Sequence, residues 1–218
     1  NGPIINKFKY QNILGKNIFK NKINFSKGPS LEAQLSSISD DIAYNSHDLE
    51  DGLNAGFFNF EQLLDIPIIS DIVKFHIKKL KINNKELIVR QITRDLINKM
   101  VSDVINKTKQ NIKEEKIKSI KGVYKARIKL VNFSNEMRLF DKKIKFFLNK
   151  NMYNNPIVLK KTKEGSDIIK FIFKKIKEKP KKFIKYDSQK MLTVERRICD
   201  FIAGMTDRYA INLYKSIK

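Results

Sequence analysis

An all-α fold is predicted, a compact globule of packed helices, and three observations predict it. Apolar residues recur at helical spacing along most of the 218 residues. Glycine and proline are scarce, at 8 and 5 residues, and no turn dipeptide flanked by alternating apolar runs marks a hairpin. Residues suited to capping helices, Ser30, Ser134 and Thr193, stand directly before periodic stretches.

The elements follow in order. Residues 5–29 are basic, with turn signals at Gly15, Gly28 and Pro29, and read as irregular chain or short helices. Ser30 caps a helix with Glu32 in its first turn, running to about Ala55 with Gly56 as its stop. Asn59 caps a short helix ended by Pro67, and another spans roughly Ile69–Leu80. A long helix from about Asn84 to Lys116 carries Leu87, Ile88, Ile92, Leu96, Met100, Val104 and Ile105 at helical spacing. Residues 117–133 contain Gly122 and no clean period, so they read as a loop with room for an extended piece. Ser134 opens a helix through Tyr153, and Pro156 opens one to about Glu178, before Pro180. Thr193 opens a final helix through Tyr214, with Ile198, Phe201, Ile202, Met205 and Tyr209 on its inner face. No internal repeat is visible.

A chain of this length can bury one good core, with or without a small appendage. It has no run of about 18 apolar residues, so no membrane span is expected, and its charged start is not a signal peptide. Cys199 stands alone, which excludes an internal disulfide framework and suits a reducing cytoplasm. It lies in an apolar helical stripe and reads as a packed thiol. The chain begins at Asn1 without methionine, which reads as a fragment or a processed product.

Net charge +22 has two explanations. One is a polyanionic partner, a nucleotide triphosphate or a nucleic acid. The other is compositional, since Lys, Asn and Ile are abundant together, as an AT-rich coding sequence produces. The second accounts for most of these lysines, because a nucleic-acid surface would more persuasively show Arg with interleaved aromatics. Nucleic acid therefore stays a secondary partner.

The stretch Glu32–Gly56, EAQLSSISDDIAYNSHDLEDGLNAG, is the most informative. Asp40, Tyr44 and Asp48 recur every four residues and share one face. Leu35, Ile38, Ile42, Leu49 and Leu53 supply the apolar stripe. Asp40 reads as close to that stripe, so it is expected to be paired or metal-bound, because an unpaired buried carboxylate is costly. The plainer account is an acidic amphipathic helix with a solvated face.

The same stretch resembles the final-Asp region of the HD-domain deoxynucleoside triphosphate triphosphohydrolases, the dGTPase family. Further blocks resemble that family in the same order: NGPI at Asn1–Ile4, IPIISDI at Ile66–Ile72, VNFSNEM at Val131–Met137, FFLNKNMY at Phe146–Tyr153 and CDFIAGMTDRYA at Cys199–Ala210. The resemblance implies the C-terminal part of an HD-domain-like globule. Residues 1–116 would complete the HD catalytic domain, and residues 117–218 would form a C-terminal helical region of the same globule. It implies hydrolysis of a dNTP to deoxynucleoside and tripolyphosphate in a homo-oligomer. The cofactor would be a divalent metal, Mg, Mn or a similar transition metal, held by a His, a His-Asp pair and a distant Asp.

Carried over by position, Asp40 is that distant Asp and the metal ligand in this chain. Tyr44 and Asp48 would line the sugar pocket near the 3′-hydroxyl, against a plain reading of Tyr44 as a half-buried core tyrosine. Arg94 would contact the triphosphate, its fork suiting phosphate oxygens; the competing reading pairs it with Asp95 or Asp103. Some relatives carry Lys where this chain has Asp41, so the role of Asp41 is open between a supporting carboxylate and a surface charge. His47-Asp48 spells the motif but lies downstream of Asp40 and is not assigned as the metal pair. His76 reads as a satisfied structural histidine. Two histidines cannot build the full set. The resemblance implies that the other ligands and catalytic groups lie before the NGP block, upstream of Asn1, so the chain reads either as the C-terminal part of a longer enzyme, inactive as an isolated fragment, or as a degenerate remnant. Asp207, Arg208 and Tyr209 match a family block, as packing, subunit-contact or substrate residues, and Gly204 is expected to permit close helix approach. A different class, a non-catalytic basic all-α module binding nucleic acid or a partner, competes with the enzyme reading.

Overall fold

The first described helix ends where the sequence places its stop, and that turn sets the core. The computed structural model describes residues 28–79, 85–184 and 193–218. The reading of residues 5–27, and the helix ends placed at Leu80 and Asn84, lie outside these. Helix α1 spans Leu31–Asn54, and the Ser30 hydroxyl accepts the Ala33 N–H at 3.3 Å. Its end is closed by Gly56 at φ +71°, left-handed backbone that favours glycine. The chain folds back there, with the Phe57 N–H donating to the Gly52 carbonyl at 2.9 Å.

After a 3-10 turn at Glu61–Leu63, braced by reciprocal Asn59 and Gln62 bonds, come α2 (Ile69–Lys79) and α3 (Lys85–Glu114). Between turn and helix, Ile68 holds φ 73°, strained for a β-branched residue. Its side chain is buried in the core, which offsets that strain. At 30 residues α3 is about 45 Å long, and Ile88, Ile92, Leu96, Met100 and Val104 form its buried seam.

Residues 117–133 correct the sequence reading, because a short helix α4 occupies Ile120–Lys125, capped by Ser119. It buries no residue, so it leaves no periodic trace. Helix α5 spans Asn135–Leu148, capped by Ser134 as expected, and widens into a π turn at Asn149–Tyr153.

Compact packing divides the described chain between Met152 and Tyr153. In the first unit α1 packs on α3 and α5, and α2 packs on α3, around a core that includes Leu49, Leu53, Leu96, Met100, Ile144 and Leu148. Buried Gln34 ties distant backbone together. Its Nε2 donates to the Pro29 carbonyl at 3.0 Å and its Oε1 accepts the Val131 N–H at 3.1 Å. Leu35, expected in the core stripe, is 50% exposed near the start of α1.

The second unit holds α6 (Pro156–Glu178), α7 (Pro180–Phe183), α8 (Val194–Ala203) and α9 (Asp207–Ile217). Its buried core is small: Ile172, Ile176, Ile198 and Ala210. The single final helix expected from Thr193 is two helices. Thr193 caps α8, the helix stops at Gly204, and Thr206 caps α9 by accepting the Tyr209 N–H at 3.3 Å. Gly204 is thus a stop rather than a close-approach site; a Cβ there would meet only Asp200 and Phe201 carbonyl oxygens at an ordinary 3.6 Å. Cys199 is exposed, against the packed thiol expected, and Tyr209, expected inside, is exposed too. Among the described residues the architecture is all-α, with nine helices.

Candidate functional site

The core seam of α1 runs through Gln34, Ile38, Ile42, Asn45, Leu49 and Leu53. At ~100° per residue Asp40 lies about 200° from Ile38, on the far side of the helix. Asp40 is accordingly exposed and unpaired among the described residues, so the expected burial beside the stripe is corrected. Each four-residue step turns the row by about 40° toward the core edge. Tyr44 is 70% exposed, not a half-buried core tyrosine, and Asp48 is half-buried. The row thus winds from open solvent to the rim of the packed interface.

A charge cluster the sequence reading missed lies beside it. Lys145 of α5 donates to Asp41 of α1 at 3.1 Å and to Asp141, one turn back on α5, at 3.0 Å. Buried Asn45 of α1 donates to the other Asp141 oxygen at 2.7 Å. Asp41 therefore has a role, joining α1 to α5 through Lys145. The Asp141–Lys145 spacing was a visible helical pair, but nothing local could reveal partners 96 and 104 residues away.

Burial pulls the Lys145 ammonium down, but hydrogen bonds and charge from Asp141 and Asp41 outweigh it and hold its pKa above the ordinary lysine value. A raised lysine pKa stabilises the fold fully below the unfolded value, near ~10.4, and loses that contribution as pH rises through the folded value. The stability gap between wild type and Lys145→Met should thus be constant at neutral pH and close in alkali, read from urea midpoints across that window.

The second cluster joins α2 to α3. His76, 5% exposed, places Nε2 2.7 Å from Asp95 Oδ2. Asp95 Oδ1 accepts from Arg94 Nε and Nη2, each at 3.3 Å. His76 is the structural histidine expected, although its buried Nδ1 has no hydrogen-bond partner among the described residues. Of the alternatives for Arg94, the partner is Asp95; Asp103 instead accepts the Ser134 N–H at 2.8 Å. Arg94 stays 62% exposed on its side chain. Burial pushes the Asp95 carboxyl up, but the His76 and Arg94 hydrogen bonds and charges hold its pKa below the ordinary aspartate value.

Asp95→Ala would strand both ring nitrogens of a buried imidazole, a loss of about 2 kcal/mol at neutral pH. A depressed carboxylate stabilises above its unfolded pKa and loses that as pH falls through the folded value. The difference from wild type should therefore shrink in acid below about pH 4, as urea titrations would read.

His47 lies on the exposed side of α1, 3.7 Å from Glu50. In the second unit Asp207, Arg208 and Tyr209 open α9 and are exposed. Tyr209 lines a groove of ≈ 460 Å³ with Phe201, Gly204 and Met205.

The Phosphohydrolase-associated domain family matches residues 131–216. A deoxyguanosinetriphosphate triphosphohydrolase-like protein of Pelagibacter ubique is 49% identical over 217 residues, covering 100% of this chain and 58% of that protein. Proteins of the same name from Agrobacterium fabrum and Rickettsia prowazekii are each 34% identical, over 86% and 91% of this chain and 48% and 53% of their own lengths. The chain belongs to the dGTPase-like HD family. It spans about half the length of the curated relatives it matches.

In this dGTPase-like chain no helix among the described residues is long and apolar enough to cross a membrane. The family's use of a divalent metal can be tested against the side chains present. Asp40 offers one accessible carboxylate, but no group of three or more His, Cys, Asp or Glu side chains among the described residues could hold an ion. The described residues alone do not fit a complete metal site.

Proposed function

We propose that this chain is the C-terminal part of a metal-dependent dNTP triphosphohydrolase acting as a homo-oligomer. In that reading Asp40 is the last metal ligand and the remaining ligands and catalytic groups lie upstream of Asn1. Tyr44 and Asp48 hold the deoxyribose, and Arg94 binds the triphosphate. The observation that carries the reading is the row on α1, where three side chains of the right chemistry line one accessible face of a helix anchored on its other side by the core. One turn of helix is ~5 Å and two are ~11 Å, which spans the reach from an α-phosphate to a sugar.

A water oxygen bonds to the α-phosphorus, the bond from that phosphorus to the 5′ oxygen breaks, and a proton passes to the 5′ oxygen. The products are a deoxynucleoside and intact tripolyphosphate. Arg94 suits the polyanion because its two donor edges match phosphate oxygens. Its contact with Asp95 is long and exposed, so exchanging that partner for phosphate costs little.

The test is product analysis with the full-length parent protein and each dNTP. Equimolar deoxynucleoside and tripolyphosphate support the reading. Pyrophosphate or orthophosphate as the released product, or no turnover with the upstream residues present, would overturn it.

A further inference from the structure

Asn45 and Ser46 lie side by side in the buried part of α1, and they differ in one respect. Asn45 donates to Asp141 of α5 at 2.7 Å. Ser46 is fully buried, and its hydroxyl has no hydrogen-bond partner among the described residues. The neighbouring seam residues Ile38, Ile42, Leu49 and Leu53 are all apolar. Apolar burial is non-directional, so that seam seats α1 without closely fixing its rotation. A hydrogen bond is directional, and a single buried asparagine can set the register of packed helices.

Asp141 is the fixed point of that bond. Its side chain is 13% exposed, and its second oxygen is held by Lys145, one turn on, at 3.0 Å. The outer contact, Lys145 with Asp41, is half-exposed on both sides and holds less firmly. The directional load between α1 and α5 therefore falls on Asn45 and Asp141.

Asn45 is ~60° around the helix from Asp48 and ~100° from Tyr44, so this anchor flanks the row of Asp40, Tyr44 and Asp48. Turning α1 by ~10° would sweep side-chain tips, ~5–6 Å from its axis, through about 1 Å. A misplacement of that size can cost roughly 100-fold in rate when the side chains orient a substrate. We propose that Asn45 and Asp141 are positioning residues for the reaction, fixing the rotation of α1 and with it the aim of Asp40, Tyr44 and Asp48. The inference rests on the reading of that row as the substrate face. Neither residue touches substrate in it; both act through the helix.

The experiment has a spectroscopic and a kinetic arm. In the full chain carrying Cys199→Ser, spin labels at Tyr44→Cys and Leu139→Cys, both exposed positions, report the aim of the row against α5. The intact bond should give one narrow distance distribution. Asn45→Leu fills the same space without the bond and should shift or broaden it. Asn45→Asp/Asp141→Asn reverses the bond, keeps an acceptor for Lys145 and should restore the narrow distribution. Ser46→Ala, the buried neighbour, should leave it unchanged. In the full-length parent, kcat/KM for a dNTP per folded molecule should fall at least about tenfold in Asn45→Leu, recover in the reversed pair and hold in Ser46→Ala. Asn45→Ala takes the place of Asn45→Leu should the latter fail to fold. An unchanged distribution in Asn45→Leu, or an equal change in Ser46→Ala, overturns the inference. So does an unchanged kcat/KM in Asn45→Leu, with the reading of the row left standing. No turnover by the unmutated parent overturns that reading and the inference with it.

Discussion

Asp40→Ala is expected to lower tripolyphosphate release by the full-length parent at least about a hundredfold, since losing even a supporting partner of a metal ligand costs 10–100-fold. The same substitution should leave the urea midpoint nearly unmoved, within about 0.5 kcal/mol, as for surface changes away from packed features. The two halves rest on one observation, an exposed carboxylate with no partner among the described residues. Such a group contributes nothing to the fold that its removal could take away. A structural aspartate would give the opposite pair, a shifted midpoint with activity tracking the folded fraction. Retention of the full metal-dependent rate would remove Asp40 from the site.

Gly52→Val is expected to cost about 3 kcal/mol or more, and Gly52→Ala about 1–2 kcal/mol net. Gly52 is buried in the last turns of α1, and a Cβ built there overlaps the Phe58 ring. The ring cannot swing aside freely, because it is itself 4% exposed and braced edge-to-face on Phe147. Against the overlap, alanine regains about 1 kcal/mol of helix propensity over glycine, which is why its net loss is smaller. Valine adds further methyls and an unfavourable β-branch. Combining Gly52→Ala with Phe58→Leu should restore part of the loss, because the two positions are in contact and couple. Additive losses in that double-mutant cycle would show that the overlap is not the cause.

What the sequence revealed and what it hid divide on physical lines. Helices with a buried seam and a capping side chain were readable within a residue or two: α1 from Ser30 to the Gly56 stop, α6 from Pro156 to Glu178. Helix α4 was hidden because it buries nothing. The break after α8 was signalled by Gly204 and by Thr206 three residues before Tyr209, but an apolar stripe running through both helices masked it. Periodicity overstates burial where a residue in register lies at an element's end or in a thin layer; Leu35 and Cys199 keep the period and still face water.

The row of Asp40, Tyr44 and Asp48 was legible as chemistry, since its spacing is local. Its depth follows from angle around the helix, about 200° from Ile38, and not from nearness in sequence to the stripe. The clusters His76–Asp95–Arg94 and Asn45–Asp141–Lys145–Asp41 needed tertiary contact between helices, which no local pattern contains. Lys145 in particular was indistinguishable, in a chain with 45 basic residues, from the lysines that only solvate the surface.

The buried amide of Gln34 makes the start of α1 depend on residues 97 positions away. Closing so long a loop is slow relative to winding a helix, so the first turn of α1 acquires its final bonding late, after residues 130–131 arrive. In the native state the Val131 amide proton can exchange with solvent only when that long-range clasp opens. Its exchange rate is therefore a clock for separation of α1 from residues 130–131, and Gln34→Ala should speed that clock while the amides in the middle of α3 keep theirs.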